Sequence, residues 1–227
     1  MQEKKSFWDV EESVGFIKLK SNIDSLEYKV WETDSPGDDQ KVADILGRIR
    51  KDINRLLIYL ARNPQLWIDK NIAYGIFHTF DIHIPCLYYL LDSIDKDTTE
   101  TLNNKINSTC FEMGTLFNYQ EMTPNKHGIL GLNKPKIIKT IKVENENGKM
   151  IDYEIAEKRS MFLTIRDQKG SWPIREYPKI LDLVIHELTH TTCNDVRWKQ
   201  DNHMPPYPTY HKMMRGWAKE AGLKLSN

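Results

Sequence analysis

Cysteine is scarce: Cys86, Cys110 and Cys193 are the only three in 227 residues, an odd number at no metal-ligand spacing. A disulfide framework and a zinc ribbon are therefore both disfavoured. An excess of one charge is also missing, with 32 Lys plus Arg against 32 Asp plus Glu. No global field draws the chain to nucleic acid or acidic lipid, so any nucleic-acid contact has to come from a local patch. No apolar run is long enough for a transmembrane helix, and mean hydropathy is -0.58. Met1-Gln2-Glu3-Lys4-Lys5 leads into no apolar stretch with a small-residue cleavage site, so residence inside the cell, in cytoplasm or nucleus, is expected. Internal repeats and low-complexity tracts are absent too, which disfavours solenoids and propellers.

What is present is a globular mixture, 40% hydrophobic and 28% charged, in a chain long enough to bury a core. One domain over 1–227 is the simplest organisation, beginning with a weakly periodic N-terminal segment, 1–34. Turn chemistry at Asp34-Ser35-Pro36-Gly37 and the acidic Asp38-Asp39 open a helix over 38–62. Its stripe is Val42, Leu46, Ile49, Ile53, Leu56, Leu57 and Leu60, and Asn63-Pro64 ends it. Residues 72–94 read as buried helical pieces interrupted by Pro85, and 95–108 as a polar helix.

Pro124, Gly128, Gly131 and Pro135 then mark a loop, after which β-branched residues announce a sheet over 136–166. Asn147-Gly148 between the 137–143 run and the 150–155 run is a hairpin signal. A further short strand is expected at Met161-Phe162-Leu163-Thr164-Ile165, ending at the turn of 167–170. Lys134, Lys136, Lys139 and Lys142 read as a solvated strand edge.

The residues that carry chemistry lie in 178–222. Pro178 suits a helix first turn, and Ile180, Leu181, Val184 and Leu188 recur at helical spacing. On that helix sits His186-Glu187-Leu188-Thr189-His190, the HExxH arrangement. Side chains four apart stack on one helix face, so His186 and His190 can offer nitrogens to one metal ion. Glu187 can reach a water held by that metal. Such a pattern arises by chance in roughly one chain per hundred, so its weight depends on a third ligand farther along the chain.

A zinc hydrolase needs that third protein ligand brought back by a turn. His203 comes thirteen residues after His190, beyond polar Asn194-Asp195 and Asp201-Asn202 and just before Met204-Pro205-Pro206-Tyr207. Tyr210, Met213, Met214, Trp217, Ala218 and Ala221 then form a closing helix ended by Gly222. Val196 stands where a metzincin would place its third histidine, which excludes that clan. Glu220 and His211 are competing ligands, each with a blander reading as a helix-surface residue. Asp195 is near enough in sequence to support a ligand, Cys193 reads as a buried filler, and His78 and His83 as core histidines. Tyr207 and Tyr210 are candidate oxyanion donors, although tyrosines near a hinge more often pack.

With those residues in place, the C-terminal third resembles the minimal zincin peptidases of the SprT/Spartan and WLM type. Their pattern is HExxH, a variable loop, then a histidine followed by proline and an aromatic that opens a closing helix. More of the chain is similar to metallopeptidases encoded by large DNA viruses, through a strand near Tyr28-Lys29-Val30-Trp31, an acidic turn, a long helix and a strand at 160–166. The sequence departs in having Tyr rather than Phe after His203 and an extra Pro206-Tyr207-Pro208 before the helix.

The resemblance implies an α+β, zincin-like fold: a small antiparallel sheet, packed on several helices, whose edge strand, Met161 to Ile165, lies beside the HExxH active-site helix and pairs with substrate. It implies a zinc-dependent endopeptidase acting on extended or unfolded protein or peptide segments. His186, His190 and His203 are then Zn²⁺ ligands and Glu187 the general base. A SprT-like protease acting on DNA-bound proteins is one alternative; a catalytically silent, zinc-stapled structural or virion protein is another. Glu187, which a purely structural site does not need, favours chemistry.

Overall fold

The longest element owes its existence to one stripe. In helix α1, Pro36–Arg62, the positions Val42, Leu46, Ile49, Ile53, Leu56, Leu57 and Leu60 are all fully buried, as the three-and-four spacing requires. Pro36 occupies the first turn, where its missing N–H costs nothing, and Asp38 and Asp39 face the positive end of the helix dipole. The computed structural model describes residues 15–66, 99–123, 130–144, 150–167, 172–192, 203 and 207–226. The expected helical pieces of 72–94, with His78 and His83, lie outside the described residues, as do Cys193 and Asp195.

Ahead of α1, strands β1 (Phe16–Lys20) and β2 (Glu27–Trp31) pair antiparallel, so the described part of the N-terminal segment is a hairpin and not merely weakly periodic chain. Tyr28 and Val30 point into the core while Glu27, Lys29 and Trp31 alternate outward. Helix α2 spans Thr99–Leu116 and leads directly into strand β3, Phe117–Glu121. Strands β4 (Gly131–Glu144) and β5 (Met150–Leu163) pair antiparallel out to Glu144 and Met150, as the hairpin signal leads one to expect. The Asn147-Gly148 turn itself lies outside the described residues.

Three sequence expectations change here. Gly131 and Pro135 belong to β4 and not to a loop, and the two short strands expected at 150–155 and 161–165 are one strand, β5. The sheet order is β3-β5-β4, with β3 parallel to β5. Met161 to Leu163 is therefore central, bonded to Tyr119–Glu121 on one side and Gly131–Asn133 on the other. Strand addition to Met161–Ile165 is impossible while β3 and β4 hold their places. Among the described residues β4 pairs with β5 alone, so β4 is the edge strand on the side of the motif helix.

That helix, α3, spans Tyr177–Thr192 and buries Ile180, Leu181, Val184, Ile185 and Leu188. Helix α4, Tyr207–Glu220, packs beside it through Met214, Trp217 and Ala218. It begins three residues before the expected start, taking Tyr207 and Pro208 into its first turn. Gly222, at φ +85°, ends it: Leu223 N–H bonds to Ala218 C=O and Gly222 N–H to Lys219 C=O, the pairing that satisfies carbonyls left over at a helix end. The buried side chains of α1, α3, α4 and the strands form one core cluster, an α+β arrangement with a small sheet and several helices.

Candidate metal centre and adjoining cleft

His186 and His190 stand one turn apart on α3, with their Nε2 atoms 3.2 Å from each other. His203, held in a turn before α4, places its Nε2 3.1 Å from that of His186. The three donor atoms lie within 4.8 Å of one another, so the cluster could hold a metal ion. The donor set fits such a guest. A single proton on His186 Nε2 can bridge only one of its two close nitrogen contacts, leaving the other as lone pair against lone pair. A cation among them removes that conflict, and zinc–nitrogen bonds of about 2.0–2.1 Å imply tetrahedral donor separations of about 3.3–3.4 Å, close to those seen.

Electrostatics favour the ligating form. Burial, reinforced by the charges of His203 and His211, pushes His186 down to about 4. Burial pushes His190 to about 4 as well, with His186 and His203 adding to it. Both imidazoles are thus neutral at pH 7, the state whose lone pair binds metal.

Tyr207 wedges the cluster in place. Its ring stacks on His190 at 4.5 Å and meets His203 edge-on at 4.9 Å, while its hydroxyl donates to the His186 carbonyl at 3.2 Å. That hydroxyl is used to tie α4 to α3, which makes packing its visible role. The competing ligands stand elsewhere. Glu220 accepts a hydrogen bond from the Tyr59 hydroxyl, and His211, although its ring is 5.6 Å from that of His186, is not in the donor cluster.

Glu187 is 5% exposed, and burial pushes its carboxyl up to about 7. It lies against Gly131 of β4: a Cβ at that position would meet Glu187 Oε1 at 2.6 Å and Leu183 Cδ1 at 2.9 Å. Glycine is what lets the edge strand approach the motif helix this closely. Asn133, two residues on, donates from Nδ2 to the Glu187 carbonyl at 2.9 Å and fastens helix to strand. A cleft of about 450 Å³ opens beside His186 and Glu187, with Leu130, Gly131 and Leu183 among its walls. His211 also lines this cleft, and among the described residues its Nε2 is buried without a hydrogen-bond partner.

Sequence reasoning placed the three histidines and Glu187 but missed Gly131 and Asn133. The signal for them was a glycine just ahead of a β-branched run, which marks close backbone approach as readily as a loop. No family model matches this chain, and no curated protein or solved structure matches it.

Proposed function

We propose that this chain is a zinc-dependent endopeptidase, with His186, His190 and His203 as the Zn²⁺ ligands and Glu187 as the general base. The reading extends the resemblance to minimal SprT- and WLM-type zincins. It is supported most by one observation: a buried carboxyl beside the histidine cluster that is not among its donors and faces a cleft. A site that only staples a fold has no use for it.

When bound, zinc supplies a Lewis acid that acidifies water and polarises a carbonyl. Glu187, held near neutrality by burial, is matched to take a proton from the attacking water and to return it to the leaving amine. Gly131 keeps that carboxyl in register, and Tyr207 holds the imidazoles in theirs. An extended peptide would lie along β4, the edge strand next to α3, which is why unfolded segments are the proposed substrates.

The test is metal analysis of purified protein together with hydrolysis of an unfolded protein by wild type and Glu187→Gln. Zinc in both and cleavage by wild type alone is the expected result. A stapled structural protein would bind zinc in both and cleave in neither.

A further inference from the structure

We propose that the cleft beside Glu187 is a subsite for an acidic group of the peptide, either the carboxylate of a side chain flanking the scissile bond or a free terminal carboxylate. The inference rests on the peptidase reading and names the substrate class of the same site. Its basis is an imbalance among the cleft's charges. Arg175, Lys179 and Arg215 line it against the carboxyls of Asp182 and Glu187. Asp182 is already spent: it takes the Arg215 guanidinium, the Ser226 hydroxyl and the Ser226 N–H at 3.1 Å. Arg215 completes that closed unit by donating to the Ser226 carbonyl at 3.1 Å.

Among the described residues Arg175 has no comparable partner. Its Nε stands 3.6 Å from Asp167, whose side chain is 53% exposed, and its Nη1 reaches the Thr164 carbonyl only at 3.4 Å. The guanidinium side chain itself is 16% exposed, so water compensates it poorly. Lys179 pairs with Glu176 at the surface, where an ion pair of two exposed chains holds little. Positive charge therefore remains over a wall that includes Leu130, Gly131 and Leu183. A carboxylate pairs with Arg175, whereas an amide of the same shape lacks the charge and a lysine is repelled.

The test uses zinc-loaded full chain and one peptide scaffold carrying Glu, Gln or Lys beside the scissile bond, each made as C-terminal acid and as amide. Charge-assisted pairing predicts that Glu outruns Gln by about tenfold or more in kcat/KM, with Lys slowest. If the terminal carboxylate is the recognised group, the preference follows acid over amide instead. Arg175→Glu should reverse the order of Glu and Lys while zinc content stays at one per chain. Equal rates for all peptides in wild type, or an order unmoved by Arg175→Glu in a folded, zinc-loaded protein, overturn the subsite. If wild type cleaves none of them, the peptidase reading fails instead, and fluorescence anisotropy of the labelled Glu, Gln and Lys peptides then decides the subsite. Tighter binding of the Glu peptide, lost in Arg175→Glu, upholds it, and equal binding overturns it.

Discussion

Two polar clusters in this molecule are built from similar materials and end in opposite states. Around Arg166, which is 1% exposed, the chain closes upon itself. The guanidinium donates to Asp39 Oδ1 at 2.6 Å and to the Trp31 carbonyl at 2.9 Å, and stands 3.6 Å from Glu121 Oε1, an ion-pair contact in which that buried oxygen accepts no hydrogen bond among the described residues. Asp39 accepts from the Thr33 N–H and hydroxyl, and Glu121 Oε2 from the Trp31 N–H. Around His186, by contrast, three nitrogens face one another, and a carboxyl and a cleft stand alongside. A cluster whose charges find their counterparts inside the chain joins elements of structure: here β2, the start of α1, β3 and the segment just after β5. A cluster whose donors converge on one point needs a guest.

On the proposed peptidase reading, the largest expected effect falls on the open cluster. Glu187→Gln should lower turnover by about 10²–10⁴-fold, the usual contribution of positioned proton transfer. Zinc content and Tm should stay near wild type, because the carboxyl is not among the donors. A variant that unfolds or loses metal would place Glu187 with the closed kind of cluster. On the closed cluster, Arg166→Met should cost about 3–5 kcal/mol in chemical denaturation, since Asp39 and Glu121 would be left buried without their cation. A loss below about 1 kcal/mol would mean that Arg166 behaves as a surface charge and that the contrast between the clusters is misdrawn.

His203→Ala comes next. Losing a ligand should weaken zinc by more than the roughly 10–100-fold typical of losing a supporting partner, while His211→Ala should leave affinity unchanged. Competition with a chromogenic chelator measures both. Metal loss confined to the His211 variant would redraw the centre.

The two clusters were unequally legible in the amino-acid sequence, and the reason is distance along the chain. His186 and His190 are one helical turn apart, so helix geometry alone sets their juxtaposition. His203 was reachable because polar, helix-breaking residues and a proline pair announce a reversal before α4. The Arg166 cluster joins positions 31, 39, 121 and 166. It depends on β3 lying parallel to β5, and Asn118, Gln120 and Glu121 make β3 look like polar chain unless that pairing is known. The same limit misplaced the sheet edge. Alternation shows which face of Met161–Ile165 is buried but carries no information on how many neighbours a strand has. Leu163→Pro, a probe of an edge strand on the sequence reading, should therefore unfold the protein by breaking a central one.

pH separates the clusters further. Burial pushes Glu121 up to about 7, against the pull of Arg166 and the Trp31 N–H. A carboxyl whose folded pKa is raised binds protons more tightly in the native chain. Its contribution is complete below about 4.5 and fades as pH climbs to about 7, by at most about 3 kcal/mol. His186 and His190, pushed down to about 4, gain stability through much of the same window, so the test is a difference: the denaturation midpoint of wild type relative to Glu121→Gln should fall as pH rises through it. Equal slopes would show that Glu121 is ionised throughout.

The smallest expected effect is on Gly131, and it is the most local test of the open cluster. An alanine Cβ there would stand 2.6 Å from Glu187 Oε1, 2.9 Å from its Cγ and 2.9 Å from Leu183 Cδ1. Oε1 is the end of a flexible chain and can swing aside, so the fold should survive with an overpacking cost of about 1–3 kcal/mol. The carboxyl cannot swing and stay in register. With Glu187 as the proposed base, a displacement of about 1 Å costs up to about 100-fold, so turnover should fall by roughly ten- to a hundredfold, with KM and zinc content little changed. The histidines are anchored by Tyr207 and not by Gly131, which is why metal and catalysis should part company in this variant. If Gly131→Ala loses zinc along with activity, β4 supports the whole cluster. If it keeps full turnover, Glu187 acts from a position other than the one against β4.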